Sequence, residues 1–284
     1  MIDAGEAKII SDLLAALASA IRKNCEGKRV AVPFSGGVDS SLVAFLLKPF
    51  ASEVRLYVVG AGKSAPDVEA ARGAAELIGI PLKEIIVSEK EVTNAAKEVE
   101  IIIKSAGGVP TILQISYELP LYFAAKAAAA DSYKFLATGQ GADELFGGYA
   151  RYSTIAPEEF AKSSREDALK LKECGIKVDQ AMAAKFGASL FCPFLEEEFF
   201  RLALEIPAAM KIKDGIRNLN ECDNCLLGKN AGKLKSHSVQ KYILRLAAAS
   251  LGLPESIAQR KKKAAQYGSG IMKVLEKVEF GNRD

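Results

Sequence analysis

The segment at residues 34–41, which reads FSGGVDSS, limits the possible folds of this chain more than any other stretch. Apolar residues precede it at 30–32 and follow it at 42–47. This order predicts a buried strand that enters a glycine-rich turn and then a helix. Such turns bind phosphate, because the backbone N–H groups of the turn and of the helix N-terminus point at the anion. The sequence therefore predicts an α/β fold with a phosphate site at this turn.

Strand and helix signals alternate as far as about residue 150. Apolar runs predict strands at residues 28–34, 54–59, 82–87 and 133–138. Helical spacing predicts helices at residues 7–23, 40–47, 67–77, 92–104 and 117–130, the last with Pro120 in its first turn. This alternation favours a doubly wound parallel sheet, in which ligands lie beyond the carboxyl ends of the strands. The glycine turns at residues 36–37, 60–62 and 139–141 each follow a strand, so they could line one crevice.

We interpret the chain as three parts. We expect an N-terminal helix at residues 1–27, an α/β core with the phosphate turn at residues 28–150, and a mainly helical part at residues 151–284 that completes the site at this turn. Helical spacing in the last part occurs at residues 158–173, 179–186, 196–204 and 239–251.

Composition and charge exclude several classes of protein. The net charge is only +3, which does not suggest a nucleic-acid partner. No apolar run approaches the roughly 20 residues of a membrane span, and no secretory signal opens the sequence. Five cysteines, an odd number, do not suggest a disulfide framework. We expect a cytoplasmic protein without a membrane partner, and a homo-oligomer.

The turn at residues 35–41 differs from the P-loop of kinases and GTPases, because no lysine follows its glycines. Asp39 would repel phosphate unless it holds Mg²⁺, which bridges phosphate oxygens. The other interpretation is a tight turn whose serines and aspartate cap the helix. The residues that could contact phosphate are Ser35, Gly36, Gly37, Ser40 and Ser41.

Four segments carry a resemblance to a known family. Residues 35–41 resemble the PP-loop of the ATP pyrophosphatase superfamily, and residues 136–149, LATGQGADELFGGY, resemble the strand and loop of asparagine synthetases. The segments PFL at 193–195 and KYILR at 241–245, with the basic run near 260, agree with that family in type and order. The resemblance covers about residues 28–270. It implies an adenine nucleotide α-hydrolase-like fold and the synthetase domain of that family.

The family's chemistry is ATP-dependent amide formation. The resemblance implies that a small carboxylate attacks the α-phosphorus of ATP with Mg²⁺ present, and that a nitrogen nucleophile then displaces AMP. It implies pyrophosphate and metal binding by residues 35–41, nucleotide contacts by Val59, Gly60, Thr138 and Gly139, metal binding by Asp143, and stabilisation of the α-phosphate by Lys262.

The chain also departs from the family pattern. We expect no glutaminase domain, since Ile2 stands where a nucleophilic cysteine would follow the start methionine, so ammonia would come from solution or a separate glutaminase. Gln140 replaces a catalytic glutamate and cannot act as a base. Glu144 is either its substitute or a residue that stabilises the loop. Residues 189–191 replace a charged pair by apolar groups, so the carboxylate need not be aspartate.

Cys222 and Cys225 form a Cys-x-x-Cys motif that the family resemblance does not explain. The motif is compatible with half of a Zn²⁺ site, a redox pair, a persulfide carrier or an ordinary surface turn. Further zinc ligands would have to come from Cys174, Cys192 or His237. The cysteines suggest one alternative function, a sulfurtransferase that uses them, as in tRNA modification. The changes at Gln140 and at residues 189–191 suggest a second alternative, a nucleotide-binding regulator without catalysis.

Overall fold

The computed structural model describes residues 4–214, 238–260 and 265–281. A five-stranded parallel sheet lies at its centre, with the strand order β3-β2-β1-β4-β5. The strands of this sheet are β1 (Arg29–Pro33), β2 (Glu53–Gly60), β3 (Leu82–Ile86), β4 (Phe135–Ala137) and β5 (Ser189–Phe191). A separate antiparallel pair consists of β6 (Ile212–Asp214) and β7 (Ser238–Gln240).

Helices fill most of the rest of the described chain. They are α1 (Ala4–Cys25), α2 (Val38–Leu47), α3 (Pro66–Ile78), α4 (Glu89–Ser105), α5 (Ile112–Ala130), α6 (Ala142–Phe146), α7 (Pro157–Lys170), α8 (Ile176–Ala184), α9 (Glu197–Glu205), α10 (Ala208–Lys211), α11 (Tyr242–Ser250), α12 (Glu255–Ala258), α13 (Ala265–Gly268) and α14 (Ile271–Gly281). A π-helical turn, Leu171–Gly175, joins α7 to α8. None of the helices in the described ranges combines the length and apolar character that a membrane crossing requires.

The alternation of β1 divides the core into two layers. Val30 and Val32 belong to the apolar cluster that includes α1, α2, α3, α9 and α11, whereas Ala31 belongs to the cluster that includes α4, α5, α8 and α14. Successive side chains of a strand point to opposite faces, so a strand that is apolar at every position needs helices on both sides. The predicted doubly wound parallel sheet is therefore confirmed.

The strand order reverses between β1 and β4, because β2 and β3 lie on one side of β1 and β4 and β5 lie on the other. Ligands of such sheets bind at this reversal, outside the carboxyl ends of the strands. The loop after β1 holds residues 34–37, and the loop after β4 holds residues 138–141. The topology thus brings together the two loops that the sequence analysis selected.

The fold differs from the sequence predictions at several places. The antiparallel pair of β6 and β7 was not predicted, and residues 239–240, which helical spacing assigned to a helix at 239–251, belong to β7. The short edge strand β5 was not predicted, and it carries the sheet into the part of the chain beyond residue 150. Helix α5 begins at Ile112, so Pro120 lies inside the helix instead of in its first turn. The reason is the cap at Thr111, whose side chain accepts a hydrogen bond from the Gln114 N–H at 3.1 Å and so starts the helix earlier.

Candidate active site at the carboxyl ends of β1 and β4

The turn after β1 has the geometry of an anion cradle. Gly37 is the N-cap residue of α2 and no side chain caps it, so the first N–H groups of α2 are available to a ligand. Gly36 has φ +68° and lies close to α3, where an added Cβ would approach the Ala70 carbonyl oxygen to 2.6 Å. Only glycine fits both requirements.

Replacing Gly36 by alanine is expected to destabilise the protein more than the same change at Gly79. Both residues have nearly the same left-handed backbone, φ +68° and +65°, but no atom lies within 4 Å of a Cβ at Gly79. Both alanine variants therefore carry the strain of the left-handed conformation. In the Gly36 variant alone, the overlap with Ala70 lowers the free energy of unfolding by about 1–3 kcal/mol more. Denaturant unfolding of the two variants measures this difference. Equal losses would contradict the close approach of the turn to α3.

The loop after β4 touches this turn directly. An added Cβ on Gly139 would lie 2.9 Å from the Asp39 Cβ and 3.0 Å from the Ser40 backbone nitrogen. Thr138 precedes it, with its backbone N–H bonded to the Phe191 carbonyl and its hydroxyl 3.3 Å from the Cys192 sulfur. The missing side chain of Gly139 is what allows the two loops to meet.

A buried lysine joins the two candidate metal-binding aspartates. The Lys241 Nζ lies 2.5 Å from the Asp39 Oδ2 and 2.7 Å from the Asp143 Oδ1. The Lys241 side chain is 2% exposed, whereas those of Asp39 and Asp143 are 20% and 22% exposed. Solvent or a ligand can therefore reach the two carboxylates, whereas the ammonium group that joins them is buried.

The backbone around Lys241 is shaped for this contact. Lys241 has φ +57°, which is unusual for a residue with a side chain, and its N–H donates to the Phe146 carbonyl oxygen. A Cβ on Gly148 would overlap both Asp143 and Lys241. Burial opposes the charged form of Lys241, but the charges of Asp143 and Asp39 outweigh it and raise the pKa. The ammonium group is therefore retained at neutral pH.

Two buried oxygens in the turn have no hydrogen-bond partner among the described residues. They are the Asp39 Oδ1 and the Ser41 hydroxyl. Buried polar atoms normally have partners, so these atoms fit a ligand. Mg²⁺ binds one or two carboxylates and completes its coordination with phosphate oxygens and water. The donor set of Asp39, Asp143 and the cradle therefore fits Mg²⁺ together with a phosphate chain.

Residues near the end of the chain hold the turn in place. The Arg260 guanidinium donates to the Ser35 carbonyl oxygen at 2.6 Å and to the Asp67 carboxylate at 3.1 Å. Arg245 in turn donates to the Arg260 carbonyl oxygen at 3.0 Å. These contacts join the first and last parts of the domain at the phosphate turn.

Gln140 and Glu144 lie on the loop after β4 but differ in their surroundings. Gln140 is partly exposed and interacts with Asp179, a buried residue of α8. Glu144 is buried, its Oε1 accepts a hydrogen bond from the Tyr149 hydroxyl at 2.5 Å, and its carbonyl oxygen accepts one from Ser164. These contacts fix Glu144 within the loop. A role for either residue in catalysis stays a prediction.

The structure locates some of the remaining candidates and not others. Val59 and Gly60 end β2, one strand away from the turn, and the N–H of the following Ala61 donates to the Ser269 carbonyl oxygen. The other candidates lie outside the described residues: Lys262, Cys222, Cys225 and His237. Within the described ranges, no group of three or more His, Cys, Asp and Glu side chains is arranged to hold a metal.

Several residues of this region were not selected by the sequence analysis. They are Lys241, Arg260, Glu118 and Asp179. The sequence did contain a signal for Glu118. It is the single carboxyl group of the largely apolar helix α5, and a helix that is apolar on most sides is expected to be buried together with its polar residues. Lys241 and Arg260 stand in the segments that resemble the family, but no local pattern shows that their side chains reach the turn.

The described cysteines differ in accessibility, which leads to a test. Burial raises the pKa of the Cys192 thiol to about 12 and that of the Cys25 thiol to about 12, whereas Cys174 is exposed. Only the thiolate reacts with iodoacetamide. Peptide mapping of the native protein at pH 8 is therefore expected to find Cys174 alkylated and Cys25 and Cys192 unmodified, with all three labelled after denaturation. Rapid native labelling of Cys192 would contradict its buried position.

The parallel sheet, the glycine and serine turn at the strand-order reversal, and the two aspartates define a nucleotide-binding domain of the PP-loop class. The family model described as asparagine synthase matches residues 12–172 and 156–278. The chain belongs to the asparagine synthase family, as the sequence resemblance predicted.

Individual relatives agree with this assignment. A Methanocaldococcus jannaschii protein provisionally named asparagine synthetase 1 (glutamine-hydrolysing) is 37% identical over 279 residues, which cover 93% of this chain and 50% of that protein. The Escherichia coli asparagine synthetase B (glutamine-hydrolysing) is 28% identical over 84% of this chain and 41% of its own length. The chain spans about half the length of the curated relatives it matches. A solved NMN synthetase from Francisella tularensis has a TM-score of 0.42 with 11% identity, covering 98% of this chain and 87% of that one.

Proposed function

We propose that this domain is an ATP-dependent ligase that activates a carboxylate and transfers it to a nitrogen nucleophile. A carboxylate oxygen bonds to the α-phosphorus of ATP, and the bond from that phosphorus to the pyrophosphate oxygen breaks. The nitrogen then bonds to the acyl carbon, the bond to AMP breaks, and the nitrogen loses a proton. An amide, AMP and pyrophosphate are the products.

The observation that carries this proposal is the position of Asp39 and Asp143 beside the cradle. Lys241 holds the carboxylate of Asp143 close to that of Asp39 in the phosphate turn, and one oxygen of Asp39 is buried without a partner among the described residues. The family's reaction requires charge neutralisation on a leaving pyrophosphate, which is mainly a task of positioned cations and N–H groups. Mg²⁺ held by these two aspartates would supply that neutralisation.

Each part of the site has a task in the proposed reaction. The α2 N-terminus and the N–H groups of Gly36 and Gly37 bind pyrophosphate oxygens. Lys241 keeps the two aspartates close together, although like charges repel. Arg260 fixes the turn through Ser35, and Lys262 follows two residues later, as the residue proposed for the α-phosphate. Residues from the last part of the chain would thus complete the site, as the proposed division into parts requires.

The test is pyrophosphate release from Mg-ATP by the purified full chain, measured across a panel of amino acids and other carboxylates, with and without ammonium. Release that depends on one acid, with its amide formed only when ammonium is present, is the expected result. Asparagine from aspartate would identify the family's own product. The chain is supplied with ammonium directly, so the result does not depend on the natural nitrogen donor.

Two other outcomes would overturn the proposal. Pyrophosphate release that requires a sulfur donor, and is lost in Cys222→Ser or Cys225→Ser, would favour the sulfurtransferase. Nucleotide binding without release under any condition would favour the regulator.

A further inference from the structure

A cavity apart from the crevice lies beside α7. Its volume is about 270 Å³, and among the described residues its walls come from α7 and from the stretch between the end of α9 and the end of α10. None of these lining residues belongs to the phosphate turn or to the loop after β4. Sites for drug-sized ligands occupy about 300–1,000 Å³. A molecule with only a few carbon atoms would therefore fill this cavity.

The polar part of the cavity lining is basic, so the space is here called the basic cavity. Lys162 and Arg165 of α7 are three positions apart, which places them on one side of the helix, and Lys211 at the end of α10 lines the same space. The Arg165 Nη1 lies 4.0 Å from the Glu205 Oε1, and both side chains are more than half exposed, so this ion pair is weak. With Glu205 counted, an excess of two positive charges remains.

Lys211 is buried without a partner in the described part of the chain. It is 5% exposed, and its ammonium group forms no hydrogen bond or ion pair with any described residue. Burial lowers the pKa of Lys211 to about 8, the charge of Arg165 lowers it too, and only Glu205 opposes this. The equally buried Lys241, in contrast, is held by two carboxylates. A buried lysine normally has such a counter-charge, and an anion in the basic cavity would supply one to Lys211.

The remaining walls of the basic cavity are apolar. They are formed by side chains of α7, α9 and the link to α10, among them Phe160, Leu204 and Ile206. An inorganic anion would satisfy the basic groups but would leave these walls without a partner. The lining therefore fits a molecule that combines an acidic group with a short carbon body.

We propose that the basic cavity binds a small organic dianion, either a phosphate monoester or a dicarboxylic acid of a few carbons. Lys211 and Arg165 bind its acidic oxygens through charge-assisted hydrogen bonds, and the arginine fork can bind two oxygens at once. Phe160 and Leu204 contact its carbon body. Two negative charges match the excess of two positive charges in the site. The inference does not rest on the ligase function, because the cavity shares no residue with the phosphate turn.

The first experiment observes Lys211 directly. In the full chain with ¹³C-labelled lysine, the Lys211 Cε signal is assigned by its loss in Lys211→Met. Inorganic phosphate, added near pH 7.5 at constant ionic strength, is expected to shift this signal saturably. The pH midpoint of the signal should move from about 8 toward the ordinary lysine value, because a bound anion favours the ammonium form. Phosphate at the phosphate turn alone would leave the Lys211 signal unchanged, so the two sites are distinguished.

The second experiment repeats the phosphate titration with two variants. Arg165→Gln keeps the Lys211 signal but removes a charged donor, so it is expected to weaken phosphate binding about tenfold or more. The Arg165 side chain is more than half exposed, so the variant should remain folded. Lys170→Gln removes an exposed positive charge from the same helix outside the cavity and is the matched control. Its Kd should stay within about twofold of the wild-type value.

The third experiment distinguishes the two kinds of dianion by comparing n-propyl phosphate and glutarate with inorganic phosphate. Propyl phosphate is expected to bind about fivefold or more tightly than phosphate, since its methylene groups would be buried against the apolar walls. A saturable shift with glutarate and none with either phosphate would assign the site to dicarboxylic acids.

Three results would overturn the proposal. The first is a Lys211 signal that none of the three anions moves at up to about 20 mM, well above a millimolar Kd. The second is a shift that Arg165→Gln leaves as strong as in the wild type. The third is equal weakening by Arg165→Gln and Lys170→Gln, which would show a general charge effect. None of these measurements uses turnover, so a failure of the ligase function leaves them unaffected.

Discussion

Replacing Lys241 by methionine is expected to lower the free energy of unfolding by about 3 kcal/mol when Mg²⁺ is absent. Methionine has a similar length and fills the same space, so the main loss is the charge. Removing one partner from a buried ion pair leaves the other charges uncompensated, and here two carboxylates remain. The value lies near the lower end of the usual range for such a change, because about a fifth of each aspartate side chain is exposed. Urea unfolding measures it.

A matched control and a second readout sharpen this prediction. Lys83 forms an ion pair of similar length with Asp131, at 2.8 Å, but its side chain is 42% exposed, so Lys83→Met is expected to cost about 1 kcal/mol or less. Added Mg²⁺ should raise Tm more for Lys241→Met than for the wild type, because the two carboxylates then bind a cation without competition. Similar losses in both variants, or no difference in the Mg²⁺ response, would argue against a shared cation site.

The Asp39→Asn variant is expected to release pyrophosphate at least about a hundredfold more slowly than the wild type, at saturating ATP and acid. A metal that neutralises a phosphoryl oxygen stabilises the transition state by several kcal/mol, and each 1.4 kcal/mol is tenfold in rate. Asparagine preserves the size of the side chain but removes the charge that binds the metal. Steady-state pyrophosphate release measures the change.

The variant must be folded for this comparison to be meaningful. Lys241 retains Asp143 in Asp39→Asn, so the loss of stability should be smaller than in Lys241→Met, and urea unfolding checks it. Asp12→Asn, which removes an exposed partner of Lys8 on α1, controls for charge alone and should keep the wild-type rate. A rate for Asp39→Asn within a few-fold of wild type would remove Asp39 from the proposed metal site.

Most of the sheet could be predicted because its signals are local. The strands β1 to β4 are apolar runs that end at turns, and their observed bounds lie close to the predicted ones. The edge strand β5 is as short as β4, but it begins with an exposed serine, so its sequence is not a continuous apolar run. The sequence analysis considered residues 189–191 only for their effect on the choice of substrate, although they also pair with β4. The predicted helix at residues 117–130 begins five residues later than the observed α5. The residues that follow the cap, Thr111, show no clear apolar pattern, so the start of the helix was missed.

The part of the candidate site that lies in continuous stretches of sequence could also be predicted, because its signals are local. The two loops are continuous stretches of sequence, so their glycines and aspartates could be selected from it. The lysine that joins the aspartates and the arginine that contacts the turn lie more than 200 residues after Asp39 and Ser35, their respective partners. Their contacts depend on how layers pack, and a left-handed lysine such as Lys241 has no signature in sequence.

The ion pair between Asp39 and Lys241 joins residues 202 positions apart, and the bond from Arg260 to Ser35 spans 225. A ribosome adds roughly 5–20 residues per second, so about 10–40 seconds separate the synthesis of Asp39 from that of Lys241. In the later part of that interval, once Asp143 has been added, the nascent chain contains both aspartates and both loops, but it lacks the ammonium group that neutralises them. The phosphate turn is among the first parts of this domain to be translated and among the last to be completed.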